Sequence, residues 1–265
     1  MREFSADYLE TTRQGMWADS RDALADLDLD SRERVLDVGC GTGELTRVLA
    51  SETDGEVVGA DADPSLLEVA GEHVPVVGAD ATRLPFRTDA FDLVVCQALL
   101  INLPDPAAAV AEFARVSSDL VAAVEPNNAA VTVDSTVDAE SPLARRARRR
   151  FLDGIDTDVT LGADARELFA DAGIEVVSTT RYDHERVVAP PYSELDVEDA
   201  RKKATGEGLA SDRETMLAGE TTTDEYERLR EAWREMGRDV VSQMGDRDYE
   251  RREVVPFFVT VGRVA

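Results

Sequence analysis

The feature that most restricts how this chain can fold is a strand pattern cut short by alternate glycines. Arg34-Val35-Leu36-Asp37-Val38 reads as a buried strand, and Gly39, Gly41 and Gly43 break it. Residues 44–51 then continue as a helix with Leu45, Val48 and Leu49 on one face. A strand turning that sharply into a helix is half of a βαβ unit, and the pattern repeats downstream. Further strands are expected at 56–61, 74–77, 91–96 and 120–124. Pro64 opens a helix at a favourable first-turn position, running to about 72, and an Ala-rich helix runs from Pro106 to about Val116. The expectation is a parallel sheet with helices on both faces.

After Glu125 the rhythm changes. Residues 141–152 read as a basic helix, 163–172 as another closed by Gly173, and 174–182 as a sixth strand. From 190 to about 248 the chain is charged and helical, with Tyr226, Leu229, Trp233, Met236 and Val240 at helical spacing, before a final strand at 254–262. The expected organisation has three parts: an N-terminal helical segment over 1–30, a seven-stranded α/β domain over 31–189 and 249–265, and a helical insertion over 190–248. Helices inserted at a sheet edge often form lids or substrate walls, so one sheet with a helical cap is favoured over two independent domains.

Composition narrows the class. In 265 residues, 43% hydrophobic and 32% charged content supplies a sizeable core and excludes a mainly disordered chain. No run approaches the ~18 apolar residues of a membrane span. The first ten residues lack the apolar stretch of a secretory signal, so a soluble cytoplasmic protein is expected. Acidic residues number 55 against 29 Lys and Arg, for a net charge of −26, and Lys202 and Lys203 are the only lysines. Such a field repels polyanions. It also suggests a halophilic chain, because in molar salt the Debye length shrinks to about 3 Å and self-repulsion is screened. Cys40 and Cys96, with His73 and His184, are too few for a disulfide framework, a zinc site or a Cys–His nucleophile pair, and no metal is expected.

Chemistry-bearing residues gather at the strand ends. Glycines at 39, 41 and 43 allow the backbone to touch a ligand, and the N–H groups opening the next helix favour an anionic group. Glu44 stands where a dinucleotide fingerprint needs Gly or Ala, and Asp37 suits a ligand carrying an ammonium group. Asp61, some 20 residues on, ends the second strand where a carboxylate accepts from both ribose hydroxyls. Asp80 ends the third strand and can accept from an adenine amino group. These three acids are expected to line one crevice.

In this combination the chain resembles the class I S-adenosylmethionine-dependent methyltransferases, in the branch of small-molecule and quinone-type enzymes. The resemblance rests on Val35-Leu36-Asp37-Val38-Gly39-Cys40-Gly41-Thr42-Gly43, Val58-Gly59-Ala60-Asp61, Gly78-Ala79-Asp80-Ala81 through Leu84-Pro85-Phe86, and Phe91-Asp92-Leu93-Val94. It implies a Rossmann-like, mostly parallel sheet with an antiparallel last strand. It further implies S-adenosylmethionine as cofactor, Gly39 and Gly41 against the methionine moiety, Asp61 on the ribose, Asp80 with Ala81 at the adenine, and Gln97 facing the methyl donor. The sequence departs at Val116-Ser117-Ser118-Asp119, where the family has a Pro-Gly-Gly turn.

The expected function is methyl transfer to a small-molecule acceptor. Holding the nucleophile in line at roughly 3–3.5 Å does most of the work. Glu125, ending the fifth strand, is the candidate base or substrate contact, and Asn127 a further substrate contact. Tyr8, Arg13 and Trp17 are candidates to close over the donor from the N-terminal helix. Arg145-Arg146-Ala147-Arg148-Arg149-Arg150 reads as a helix face paired with neighbouring carboxylates. Two alternatives stand: methylation of tRNA or another nucleic acid, disfavoured by the charge, and a non-catalytic module that binds the nucleoside. Oligomeric state is not legible.

Overall fold

The computed structural model describes residues 16–17 and 21–264. In chain order the elements are β1 (Arg34–Val38), α1 (Glu44–Glu52), β2 (Glu56–Asp61), α2 (Pro64–Ala70), β3 (Val76–Gly78) and β4 (Phe91–Gln97). There follow α3 (Pro106–Val116), β5 (Ser117–Pro126), β6 (Thr132–Ser135), α4 (Glu140–Leu152), α5 (Ala165–Asp171) and β7 (Glu175–Val188). The chain ends with α6 (Glu194–Thr205), α7 (Glu207–Ser211), α8 (Arg213–Ala218), α9 (Thr223–Asp246) and β8 (Arg251–Arg263). Tyr8, Arg13 and most of the expected N-terminal helix lie outside the described residues. Arg21–Leu27 and Leu29–Ser31, which are described, are 3-10 helices.

The chain divides into two compact units. The first comprises the described parts of Met1–Asn127, Thr160–Tyr182 and Pro256–Ala265. Its strands run in the order β3-β2-β1-β4-β5-β8, and β7 pairs β8. The first five are parallel, and β8 is antiparallel to β5 with Phe257 opposite Pro126 and Arg263 opposite Leu120. The antiparallel last strand is as expected. Alternate residues face opposite sides. Leu36, Val38, Ala60, Val94, Cys96, Val121 and Ala123 share a core with Ala109, Val110, Phe113 and Val116 of α3 and Ala165 and Phe169 of α5. Gly59 and Asp37, on the other face, meet Thr46 of α1. Each large aliphatic side chain closed off here contributes about 1.5–3 kcal/mol.

Caps set the helix starts. Asp63 accepts from Ser65 N ahead of Pro64, and Asp105 from Ala108 N ahead of Pro106. At the departure from the family turn, α3 passes straight into β5 without a loop. Ser117 Oγ donates to Leu120 O at 2.8 Å and closes that join.

The second unit comprises Asn128–Val159 with Asp183–Val255, where the sequence pattern set off 190–248 as an insertion. It starts 62 residues before the expected insertion at 190, because the apolar face of α4 (Leu143, Ala147) packs with Tyr226, Leu229, Met236 and Val240 of α9. It also holds β6, a strand the sequence pattern did not suggest, paired antiparallel with residues 251–254 of β8. The described residues therefore carry eight strands where seven were expected. Two capping boxes start the long helices, Ser193 with Asp196 for α6 and Thr222 with Glu225 for α9. Buried Glu140 accepts from Lys203 Nζ, from Ser135 Oγ at 2.6 Å and from Tyr249 Oη at 2.8 Å, with Arg251 Nε at 3.3 Å. Those cations hold its carboxyl below the usual range although burial opposes them.

Candidate active site

The site is built at the strand ends of the first unit. Gly39 and Gly43 both have left-handed φ, +72° and +81°, which only glycine adopts freely. A Cβ on Gly39 would lie 2.8 Å from Leu99 Cδ1, and one on Gly43 would lie 3.1 Å from Ala70 Cβ. The loop is laid across the end of β2: the Gly39 and Cys40 amides both donate to Ala60 O, at 2.7 and 3.1 Å. The Gly41 amide donates to Asp61 Oδ2 at 2.9 Å, and the Asp63 amide to Asp61 Oδ1 at 2.9 Å. Asp61 thus shapes the glycine loop as well as presenting its carboxylate at the strand end.

Asp37 is buried and its Oδ2 accepts from Thr46 Oγ1 at 2.6 Å, tying β1 to α1. Asp80 is exposed; bonds from the Thr82 amide and hydroxyl, both at 2.8 Å, hold its carboxyl below the usual range, so it is ionised at neutral pH. Its neighbour Ala81 is buried. Within the glycine loop, Thr42 Oγ1 is buried and has no hydrogen-bond partner among the described residues. A donor and acceptor left in that position fits a polar ligand lying along the loop.

Gln97, at the end of β4, is buried and meets Met16 and Trp17. Its Oε1 accepts from Trp17 Nε1 at 3.3 Å, and its Nε2 donates toward Met16 Sδ. Trp17 also leans on Tyr182 (centroids 5.5 Å apart), and Tyr182 stacks on Phe257 at 5.4 Å and 18°. Sequence reasoning missed Tyr182 and Phe257, which lie in strands chosen only for their apolar content. Asn127 is fixed through its backbone, its amide donating to Pro256 O at 2.9 Å.

Glu125, the candidate base or substrate contact, ends β5 away from solvent. It is wholly buried, and its carboxylate is already engaged. Oε1 accepts from the amides of Leu100 at 2.9 Å and Leu99 at 3.1 Å, with Cys96 Sγ at 3.8 Å, and Oε2 faces the Ile101 amide at 3.5 Å. Burial pushes its pKa up to about 7, with the amide bonds pulling the other way. Closed off from solvent and engaged by backbone donors, this carboxyl is placed to anchor residues 99–101. The Cys96 thiol is raised well above its usual value by burial, then by Glu125 and Asp37, so it is inert as a nucleophile.

The arginine run of α4 lies in the second unit. Arg148 pairs with Glu253 at 2.8 Å and Arg150 with Glu225 at 3.4 Å. Arg146, Arg150 and Arg228 line a cleft of about 410 Å³ alternating with Glu225, Glu231 and Glu235, so the run is partly matched by acids as expected.

Residues 36–119 match the family described as "Methyltransferase domain". The chain is 34% identical over 134 residues to methyltransferase GfsG of Streptomyces halstedii, covering 42% of this chain and 48% of that protein. It is 37% identical over 107 residues to the demethylmenaquinone methyltransferase of Lactiplantibacillus plantarum, covering 36% of this chain and 45% of that one. The chain therefore spans about half the length of the curated relatives it matches. A solved structure from Bacillus halodurans, assigned as a methyltransferase, superposes with a TM-score of 0.56 at 19% identity over 93% of this chain and 98% of the other. That likeness is one of fold.

Proposed function

We propose that the chain is a class I methyltransferase that transfers a methyl group from S-adenosylmethionine to a small-molecule acceptor, a reading supported by the match of residues 36–119 to the family described as "Methyltransferase domain". The observation that carries this is the glycine loop held by Asp61, with the buried Thr42 hydroxyl left for a ligand. Gly39 and Gly41 receive the methionine moiety, Asp61 the ribose hydroxyls, and Asp80 with Ala81 the adenine. Asp37, bound to Thr46, holds β1 and α1 in place beneath them. When bound, the sulfonium supplies an already activated methyl group, so the protein's part is to orient the acceptor and exclude water. Gln97 and Trp17 serve that part, and Asn127 is retained as an acceptor contact. No described residue is assigned as a general base once Glu125 is committed to its amides.

A small acceptor is in keeping with a chain of net charge −26, which repels nucleic acid. Two relatives named for methyl transfer, one of them to demethylmenaquinone, support the same class. No helix among the described residues is long and apolar enough to cross a membrane. The acid excess further points to a chain that works in molar salt.

Calorimetry of the full chain in molar KCl tests the proposal. S-adenosylmethionine is expected to bind, and Asp61→Ala to weaken it tenfold or more; absent binding, or unchanged affinity in the variant, would overturn the assignment. Methyl transfer to a panel of reduced quinones and other hydroxylated small molecules separates an enzyme from a binding module. The salt proposal fails if stability falls as KCl is raised.

A further inference from the structure

The end of β4 doubles back in a way the backbone does not favour by itself. Ala98 has a left-handed φ of +49°, a conformation that a residue with a Cβ adopts only under strain. Two bonds brace that residue: its amide donates to Val124 O at 2.9 Å, and its carbonyl accepts from Asn102 Nδ2 at 2.8 Å. The reversal turns the next three amides, of Leu99, Leu100 and Ile101, onto Glu125 of the neighbouring strand. It also seats the Leu99 side chain against the Cα of Gly39, where an added Cβ would meet Leu99 Cδ1 at 2.8 Å and Cβ at 3.2 Å. Strain held by several converging bonds beside a ligand loop is a sign of positioning.

We infer that Glu125 is a positioning residue for the methyl-donor site: its buried carboxylate fixes the backbone of 98–102, so that Leu99 bears on Gly39 and keeps the glycine loop in its ligand-ready shape. The inference rests on reading the glycine loop as the donor site. Glu125 acts through Leu99 and touches neither donor nor acceptor. What the carboxylate supplies is acceptor oxygen at the right place, not a negative charge or a proton acceptor. A glutamine, which keeps an oxygen for the Leu99 and Leu100 amides, therefore does the same work.

The test is calorimetric binding of S-adenosylmethionine to the full chain carrying Glu125→Gln, Glu125→Ala, Leu99→Ala or the Glu125→Ala/Leu99→Ala pair. Glu125→Gln is expected to bind within about threefold of the parent, and both alanine variants about tenfold more weakly. The pair should be no weaker than Glu125→Ala alone, because both substitutions break one chain of contacts. That non-additivity, together with rescue by glutamine, is what general loosening of the core would not produce. Equal affinity of Glu125→Ala and the parent, glutamine as weak as alanine, or additive losses in the pair would each overturn the inference. Should Glu125→Ala fail to fold, Leu99→Ala still decides: undiminished affinity there rejects the Leu99–Gly39 contact as the link. If the parent protein binds no S-adenosylmethionine, the donor-site reading fails and this one with it. If the parent binds and every variant matches it, only this one fails.

Discussion

Replacing Glu125 by Gln removes one titrating proton from the protein interior while keeping an oxygen for its backbone donors. In the folded chain this carboxyl ionises near pH 7 against an ordinary 4.5, chiefly through burial. A difference of about 2.5 pH units at about 1.36 kcal/mol each is about 3 kcal/mol. Because the folded value is raised, folding favours the protonated form. The stability it contributes is complete below 4.5 and lost as pH rises through 7. The thiol facing it does not titrate in that window. The Cys96 thiol of β4 is raised well above its usual value, and Asp37 of β1, which acts on that thiol, is common to both proteins and cancels. Urea unfolding of parent and variant, followed by circular dichroism at a series of pH values in molar KCl, gives the difference directly. The parent should lose about 3 kcal/mol relative to Glu125→Gln between pH 4.5 and about 8. A difference that stays flat across that range refutes a buried, neutralised carboxyl at the end of β5.

Three further outcomes follow from the same geometry. Glu140→Ala leaves Lys203 without its carboxylate and Arg251 with Glu253 alone, and should cost about 3 kcal/mol, read by urea unfolding; a loss under about 1 kcal/mol would reject the network as a buried one. Trp17→Phe keeps the ring against Tyr182 but drops the bond to Gln97, costing about 1 kcal/mol, and Trp17→Ala should cost clearly more in the same assay. Gly39→Ala forces a Cβ into a φ of +72°. Leu99, whose Cδ1 and Cβ would lie 2.8 and 3.2 Å from it, must give way as well, so the loss should be at least the about 1–2 kcal/mol of the backbone, and donor affinity should fall with it.

Much of the first unit was legible because parallel strands buried on both faces read as short, nearly continuous apolar runs. Val35-Leu36, Val57-Val58 and Leu93-Val94-Val95 mark β1, β2 and β4, and the flanking Pro and Asp caps mark α2 and α3. Strands with mixed or polar surfaces gave no such signal. Only Val133 of β6 is buried, and β7 continues six residues beyond Tyr182 through Asp183, Glu185 and Arg186, which look like loop. The second unit escaped because what closes it is partly electrostatic: Glu140, Lys203, Tyr249 and Arg251 come from distant segments, and no spacing links them. At the site, Asp61 and Asp80 could be singled out from their places at strand ends, and Gln97 only through the resemblance. Glu125 stands at a strand end too, but a sequence cannot show that Ala98 turns left-handed and delivers three amides to it.

The scarcity of lysine gives the Glu140 network a practical use. A lysine-specific endoprotease has only two peptide bonds to attack in the whole chain, those following Lys202 and Lys203, and both lie inside α6. A helix must unwind locally before such an enzyme can cleave it. With the Lys203 ammonium clasped by Glu140, digestion under native conditions becomes a clock for the opening of that single helix, with no background from cleavage elsewhere.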